Sequence, residues 1–461
     1  MSGNLTGVAW EGNMGPDISC GRLPAEILTE NFADLHPPFD RFEARVAAER
    51  CLFCYDAPCQ SACPTGIDIA LFVRQIATGN PLGAAKTILD ANIMGGMCAR
   101  VCPTETLCEE ACVRETAEGK PIEIGRLQRF ATDALFSAGK QIFTRTAPTG
   151  RTVAVVGAGP AGLACAHKLA TLGHEVAIFE AKEQAGGLNE YGIAAYKTTD
   201  GFAQKEVDYI LSIGGISIHT GKALGRDIAL LDLKDRYDAV FLGIGLGGVN
   251  ALGLGEDIAG LESAVDYIAR LRQAKDLSNL PVGRRVVVIG GGMTAIDIAS
   301  QTKRLGAEDV TIVYRRGEPQ MNASAYERQL AQTDGVLIRT FMRPNKLIAE
   351  AGQLVAVEFE YTREEAGKLV GTGETLALAC DQLFTAIGQT FQSEQTNSDL
   401  LALKNGRIVV DGERRTSLDG IWAGGDCVYG GQDLTVAAVE DGKQAALSID
   451  RTLRDRSTAA A

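Results

Sequence analysis

Between residue 41 and about residue 135 the apolar positions recur three and four apart. FEARVAAER, IDIALFVRQIATG and PLGAAKTILDANI each carry such a stripe, which predicts short amphipathic helices rather than strands. Cysteine-rich loops join them, so the expectation is a small α-helical domain organised around its loops. Beyond the polar stretch RTAPTG the rhythm changes. RTVAVVGAGPAGLACAHKLATLGHEVAIFE runs strand, glycine turn, helix, strand, and RRVVVIGGGMTAIDIASQTKRLGAEDVTIVYRR repeats that order about 130 residues later. The pattern predicts an α/β chain with an α-helical domain over 1–135 and two Rossmann-like dinucleotide-binding domains, one over 136–250 plus 388–461 and the other over 251–387. Residues 1 to about 40, polar and ending in HPPFD, read as an extended arm suited to contacting a partner, and the closing RDRSTAAA has nothing to bury.

Composition fits several packed cores: 461 residues, 46% hydrophobic, with 53 glycines. A net charge of −13 argues against nucleic acid or an anionic membrane as a general partner, since the average surface would repel both. No charged and apolar leader opens the chain and no run of 18 apolar residues occurs, so a cytoplasmic protein without a membrane partner is expected. In that compartment thiols stay reduced, which changes how the cysteines are read. Eight of the 12 fall between Cys51 and Cys112, and metal ligation accounts for them better than disulfides.

The first cysteine run is Cys51-x2-Cys54-x4-Cys59-x3-Cys63-Pro and the second is Cys102-Pro-x4-Cys108-x3-Cys112. Such spacings let several thiolates converge on a [4Fe-4S] cluster, and in ferredoxin-like runs the last cysteine, followed by proline, commonly serves the other cluster. Two clusters need eight ligands, and these runs supply seven. Cys98 or a non-cysteine group could provide the eighth, and spacing does not choose. Two structural zinc sites are the alternative. The Cys63-Pro64 and Cys102-Pro103 pairs favour iron–sulfur, as does the absence of histidine nearby.

In VAVVGAGPAG, Gly157-x-Gly159-x-x-Gly162 lies between strand and helix, with Ala158, Pro160 and Ala161 completing the turn. The glycines permit the tight turn, the close approach of a pyrophosphate and tight helix packing, while Glu180 at the end of the next strand would accept ribose hydroxyls. Downstream, Gly186-Gly187-Leu188 and the segment TSLDGIWAGGDCVYGGQDLTVAAVEDGKQAA, with Gly425 and Asp426, resemble the flavin loop and closing motif of two-dinucleotide-fold flavoproteins, which implies FAD here. The second turn, Gly290-x-Gly292-x-x-Ala295 with Gly291, Met293 and Thr294, suits a nicotinamide dinucleotide. Its following strand ends in Arg315 and Arg316 where an acid would read NADH, so both could bind the 2′-phosphate of NADPH, with Glu318 partly offsetting their charge.

With these pieces in order, the chain resembles the flavin and iron–sulfur subunits of bacterial NAD-dependent dihydropyrimidine dehydrogenase, the PreT type. The resemblance covers roughly residues 45 to 450 and is carried by CLFCYDAPCQSACPTGIDI, CARVCPTETLCEEAC, IEIGRLQRFA, GGLNEYGIAAYK and GGGMTAID. Glutamate synthase small subunits are similar throughout, but the five residues between Cys102 and Cys108 look like the pyrimidine enzymes. The resemblance implies one cluster on Cys51, Cys54, Cys59 and Gln128 and another on Cys63, Cys102, Cys108 and Cys112, leaving Cys98 an ordinary thiol. It also implies FAD contacts at Val101, Leu188, Lys197 and Thr435 beside those above. NADPH-using relatives carry a further basic residue where this chain has Asn322, so NADH or NADPH stays open. The implied function is electron input: NAD(P)H reduces FAD, and two [4Fe-4S] clusters lead electrons to an FMN- and iron–sulfur-containing partner of the PreA type that reduces uracil or thymine. No catalytic side chain is assigned. A glutamate synthase small subunit and a free-standing NAD(P)H:acceptor oxidoreductase are the alternatives.

Overall fold

A computed structural model describes residues 17–255, 258–392 and 400–459, which divide into two compact units. The larger comprises 32–250, 268–273 and 388–461, and the smaller comprises residues up to 31, 251–267 and 274–387.

Helices of the larger unit begin where the chain supplies caps. Asp40 accepts from the amides of Phe42 and Glu43 while Glu43 reaches back to the Asp40 amide, a capping box that starts Arg41–Glu49. Asp68 caps Ile69–Ala77, and Asn80 with Pro81 opens Pro81–Ala91. Their apolar stripes meet Ile124–Ala138 in a core of Phe72, Val73, Ile88, Leu89 and Leu127. The cysteine loops hang on this bundle. Next in the same unit stands a parallel sheet ordered Ile421–Ala423, Ala239–Leu242, Thr152–Val156, Glu175–Phe179, Ile216–His219. The Pro160–Thr171 and Thr435–Ala459 helices pack together over one of its faces. Helical bundle and sheet form one body: Lys443 Nζ donates to the Ala91 carbonyl at 2.9 Å, and the Leu35 amide to that of Tyr196 at 2.9 Å.

The smaller unit repeats the parallel sheet, ordered Leu337–Arg339, Asp309–Val313, Arg285–Ile289, Gln382–Thr385, Leu261–Ser263. It adds an antiparallel sheet of Met342–Glu350, Gln353–Glu365 and Lys368–Ala379. Two expectations about the ends change. Residues 1–16 lie outside the described residues, but Ile18–Ser19 pairs with Val282–Gly283 and Ala25–Asn31 is a helix, so 17–31 belongs with the smaller unit rather than forming a free arm. At the other end the helix runs on through Ala459, held by Arg454 to Asp450 and Arg456 to Asp419.

Candidate functional site

The first glycine turn is built so that only glycine fits at two of its positions. Gly157 has φ +95° and a Cβ there would lie 2.3 Å from the Gly243 oxygen; one on Gly162 would lie 1.9 Å from the Gly157 oxygen. Gly159 differs: at the N-cap of Pro160–Thr171 it faces open space, its nearest Cβ neighbour being Gly187 Cα at 3.8 Å. An opening of this kind at a helix N-terminus suits a pyrophosphate. Glu180, almost fully buried, accepts from the Ala158 amide at 2.7 Å and the Lys182 amide at 2.8 Å, which locks the carboxylate at the turn with lone pairs to spare. The flavin-loop residues close over it, for the Gly186 amide donates to the Ala158 carbonyl at 2.8 Å. Gly187, at φ +56°, leads into Leu188, which is partly exposed.

From the C-terminal segment, Thr435 donates to Asn189 Oδ1 at 2.8 Å, and among the described residues Asn189 Nδ2 is buried with no hydrogen-bond partner. An orphaned buried amide beside the open turn fits a polar cofactor edge. Gly425 donates to Asp441 Oδ2 at 2.9 Å, and burial with the neighbouring Asp433 pushes Asp426 up to about 6. Lys197 is half-buried after Tyr196, and Val101 packs with Met97, Phe136 and Phe202. Asn189 escaped the sequence reading, although it follows directly on Gly186-Gly187-Leu188.

The cysteines gather in two groups. Cys51, Cys54, Cys59 and Cys112 line one apolar cavity together with Ile69, Val73 and Ile124. Burial raises the Cys59 thiol to about 11, with Cys112 and Cys51 adding to it, and raises Cys51 with Cys54 and Cys112 adding. In the second group, contact with Cys98, burial, Cys108 and Cys63 all push Cys102 up, and burial, Glu109, Cys63 and Cys59 push Cys108 up. Among the described residues no three Cys, His, Asp or Glu side chains close on a single ion. The first four cysteines line one cavity instead, an arrangement compatible with a cube of irons held by several thiolates.

The cavity sorts these residues differently from the grouping that the resemblance implies. Cys112 lines it with Cys51, Cys54 and Cys59, while Gln128 is absent from that lining and docks elsewhere. Its Nε2 donates to the Gly95 carbonyl at 2.7 Å, on the helix Gly95–Val101 that delivers Cys102. One turn earlier Gly125 lies against the Thr104 side chain of the Cys102–Cys108 loop and the Glu109 side chain just after it. The local reason is a turn: the Cys112 N–H closes on the Glu109 carbonyl at 3.1 Å, and the chain then carries Cys112 back beside the first cysteine run.

In the smaller unit Gly290, at φ +152°, would place a Cβ 2.3 Å from the Ala386 oxygen, and Gly291 lies on the Tyr314 ring. Gly292 caps Met293–Arg304 with open space before it, and Met293 and Thr294 form the helix's first turn. Arg315 and Arg316 are exposed just beyond Asp309–Val313. The Glu318 carboxylate pairs with Arg328 at 3.1 Å. Asn322 is exposed nearby.

Two parallel sheets, each with a glycine turn opening a helix, define a two-dinucleotide-fold oxidoreductase, here joined to a cysteine-bearing helical domain. Solved structures share that fold: thioredoxin reductase of T. acidophilum (TM-score 0.53, 22% identity, 66% of this chain and 99% of that one) and FprA of Mycobacterium tuberculosis in complex with NADPH (TM-score 0.58, 19% identity, 67% and 86%). The model of the pyridine nucleotide-disulphide oxidoreductase family matches residues 151–442, and that of dihydropyrimidine dehydrogenase domain II, 4Fe-4S cluster, matches 28–140. Subunit PreT of NAD-dependent dihydropyrimidine dehydrogenase from Salmonella typhimurium is 37% identical over 92% of this chain and 98% of its own length, and that from Escherichia coli strain K12 is 36% identical over the same shares. The chain belongs to the PreT family of NAD-dependent dihydropyrimidine dehydrogenase subunits. It is an oxidoreductase of the FAD, iron–sulfur and nicotinamide nucleotide type. Among the described residues no helix is long and apolar enough to cross a membrane.

Proposed function

We propose that this chain is the electron-input subunit of a dihydropyrimidine dehydrogenase, taking electrons from NAD(P)H and delivering them to a partner subunit that reduces uracil or thymine. The observation that carries it is the union, in one compact unit, of an open flavin-type glycine turn and two groups of cysteines, half-buried except for the buried Cys112. When bound, FAD accepts hydride and releases single electrons, which iron–sulfur clusters carry onward. The chain's own residues do the holding. Gly159 and the first turn of Pro160–Thr171 receive the pyrophosphate; Glu180 accepts the ribose hydroxyls; Asn189, Asp426 and Thr435 supply polar contacts, with Val101, Leu188 and Lys197 flanking. Cys51, Cys54, Cys59 and Cys112 hold one cluster, and Cys63, Cys102, Cys108 and Gln128 the other. Gln128 suits that part because its nitrogen is committed to Gly95, while no hydrogen bond occupies Oε1 among the described residues. Gly290 to Thr294 take the nicotinamide dinucleotide, and the exposed Arg315 and Arg316, with Glu318 paired to Arg328, favour a 2′-phosphate. The partner is an FMN- and iron–sulfur-containing subunit of the PreA type, and the setting is the cytoplasm.

Iron, sulfide and flavin analysis of the purified chain, followed by anaerobic titration with NADH and NADPH, tests this. About eight irons with one FAD, bleached by one coenzyme, are expected. Zinc without sulfide, or a flavin inert to both coenzymes, would sink it. Electron delivery to a glutamate-forming partner rather than a pyrimidine-reducing one would redirect it.

A further inference from the structure

The peptide group joining Gly95 to Gly96 is gripped from both sides. Its N–H donates to Glu206 Oε1 at 2.8 Å, and its C=O accepts from Gln128 Nε2 at 2.7 Å. Glu206 also accepts from the Met97 amide at 3.2 Å. Carboxylate, peptide and amide thus form one series. Both glycines are required for it: a Cβ on Gly96 would fall 2.5 Å from the Phe202 ring and 2.8 Å from Glu206 Oε1, and one on Gly95 2.4 Å from Ile88. A carbonyl only accepts, so the nitrogen of Gln128 must face Gly95 and its oxygen must face away.

Hydrogen bonds in series polarise one another in a low-dielectric interior. A charged carboxylate draws on the Gly96 N–H, enriches the Gly95 oxygen, strengthens the bond from Gln128 Nε2 and so moves electron density onto Gln128 Oε1. A richer ligand favours the oxidised form of the metal centre it binds. We propose that Glu206 is a positioning residue that tunes the cluster bound by Gln128 through the Gly95–Gly96 peptide, lowering its reduction potential when charged and making that potential depend on pH. The proposal rests on the reading of Gln128 as a ligand.

The surroundings support a change of charge. Glu206 is fully buried on the Phe202–Leu211 helix, and burial raises its carboxyl to about 8 against the pull of the Met97 and Gly96 amides and Arg100. Arg100 comes from the Gly95–Val101 helix and pairs with Asp133 of Ile124–Ala138, which raises Glu206 further and is itself paired with Arg129. On the Leu188–Tyr191 turn Glu190 is held by Gln204 and Gln273, and on Pro160–Thr171 burial lowers His167 to about 3, which leaves it neutral. As the centre gains one electron, Glu206 binds one proton from solvent, forming an O–H bond and keeping the buried charge constant.

The test is redox titration of the intact, cofactor-loaded chain, followed by paramagnetic resonance at pH 6.5 and 9, for wild type, Glu206→Gln and Gln128→Ala. In wild type one cluster's potential falls as pH rises, by at most 59 mV per tenfold change in proton activity for a one-electron centre. In Glu206→Gln that cluster loses its pH dependence and sits at or above its wild-type pH 6.5 value, while the other is unmoved. Where Glu206→Gln does not load its clusters, infrared difference spectra of wild type replace it, with a carboxyl band rising on reduction expected and its absence refuting the proposal. Gln128→Ala leaving both clusters intact would overturn the ligand reading. Gln128→Ala disturbing one cluster, with Glu206→Gln leaving that cluster's potential and pH dependence as in wild type, would overturn the tuning proposal alone.

Discussion

Gly159→Ala separates flavin binding from folding, because the structure treats this glycine unlike its neighbours. The added methyl meets nothing closer than Gly187 Cα at 3.8 Å, and the backbone, at φ −77° and ψ −176°, is extended and open to any residue. The flavin-free protein should keep its stability to within about 0.5 kcal/mol. The methyl does, however, stand where the pyrophosphate must approach the amides at the helix start. Losing one hydrogen bond to a charged group costs about 1.5–3 kcal/mol, so FAD affinity should fall about 10- to 150-fold. Gly162→Ala is the counterpart: its Cβ would sit 1.9 Å from the Gly157 oxygen, and overpacking of that order costs about 1–3 kcal/mol of the protein's own stability. Urea unfolding of flavin-free protein and fluorescence titration with FAD read the two quantities apart. Unchanged FAD affinity in Gly159→Ala, or a flavin-free variant as unstable as Gly162→Ala, would refute the pyrophosphate reading.

Other consequences concern the metal centres, the coenzyme and pH. Cys112→Ser and Cys59→Ser should damage one cluster signal, and Cys108→Ser and Gln128→Ala the other; resonance spectra in which Cys112→Ser and Gln128→Ala strike the same signal would reject the grouping. Replacing Arg315 and Arg316 together by alanine should weaken NADPH about tenfold or more while sparing NADH, and equal losses for both coenzymes in binding titrations would show that the arginines do not read the phosphate. Asp426 has its carboxyl raised in the folded state, so its contribution to stability is full below about pH 4 and is lost as pH rises through about 6. Asp426→Asn should therefore raise the melting temperature of flavin-free protein at pH 7.5 and bring no gain at pH 4; melts that show the same gain at both would contradict the buried charge.

Much of this was legible in order along the chain. Strand, glycine turn and helix are local matters, decided by alternation and by which residues tolerate a tight turn, so both strand–turn–helix units follow from neighbouring residues. Cysteine spacing announced metal for the same reason. What local sequence leaves undetermined is which side chains meet after long-range packing. Cys112 joins Cys51, 61 positions earlier, because the chain turns back after Glu109 and buries beside Val73 and Ile124. Arg328 takes the charge of Glu318 only because a later helix folds over the strand end. Glu206 reaches Gly96 across 110 residues, and nothing in its own helix marks it as different from any exposed glutamate. Periodicity and turn chemistry act over a few residues and so are written in sequence. Ligand partners, ion pairs and the charge of a buried acid depend on distance in space, which only the packed tertiary structure sets.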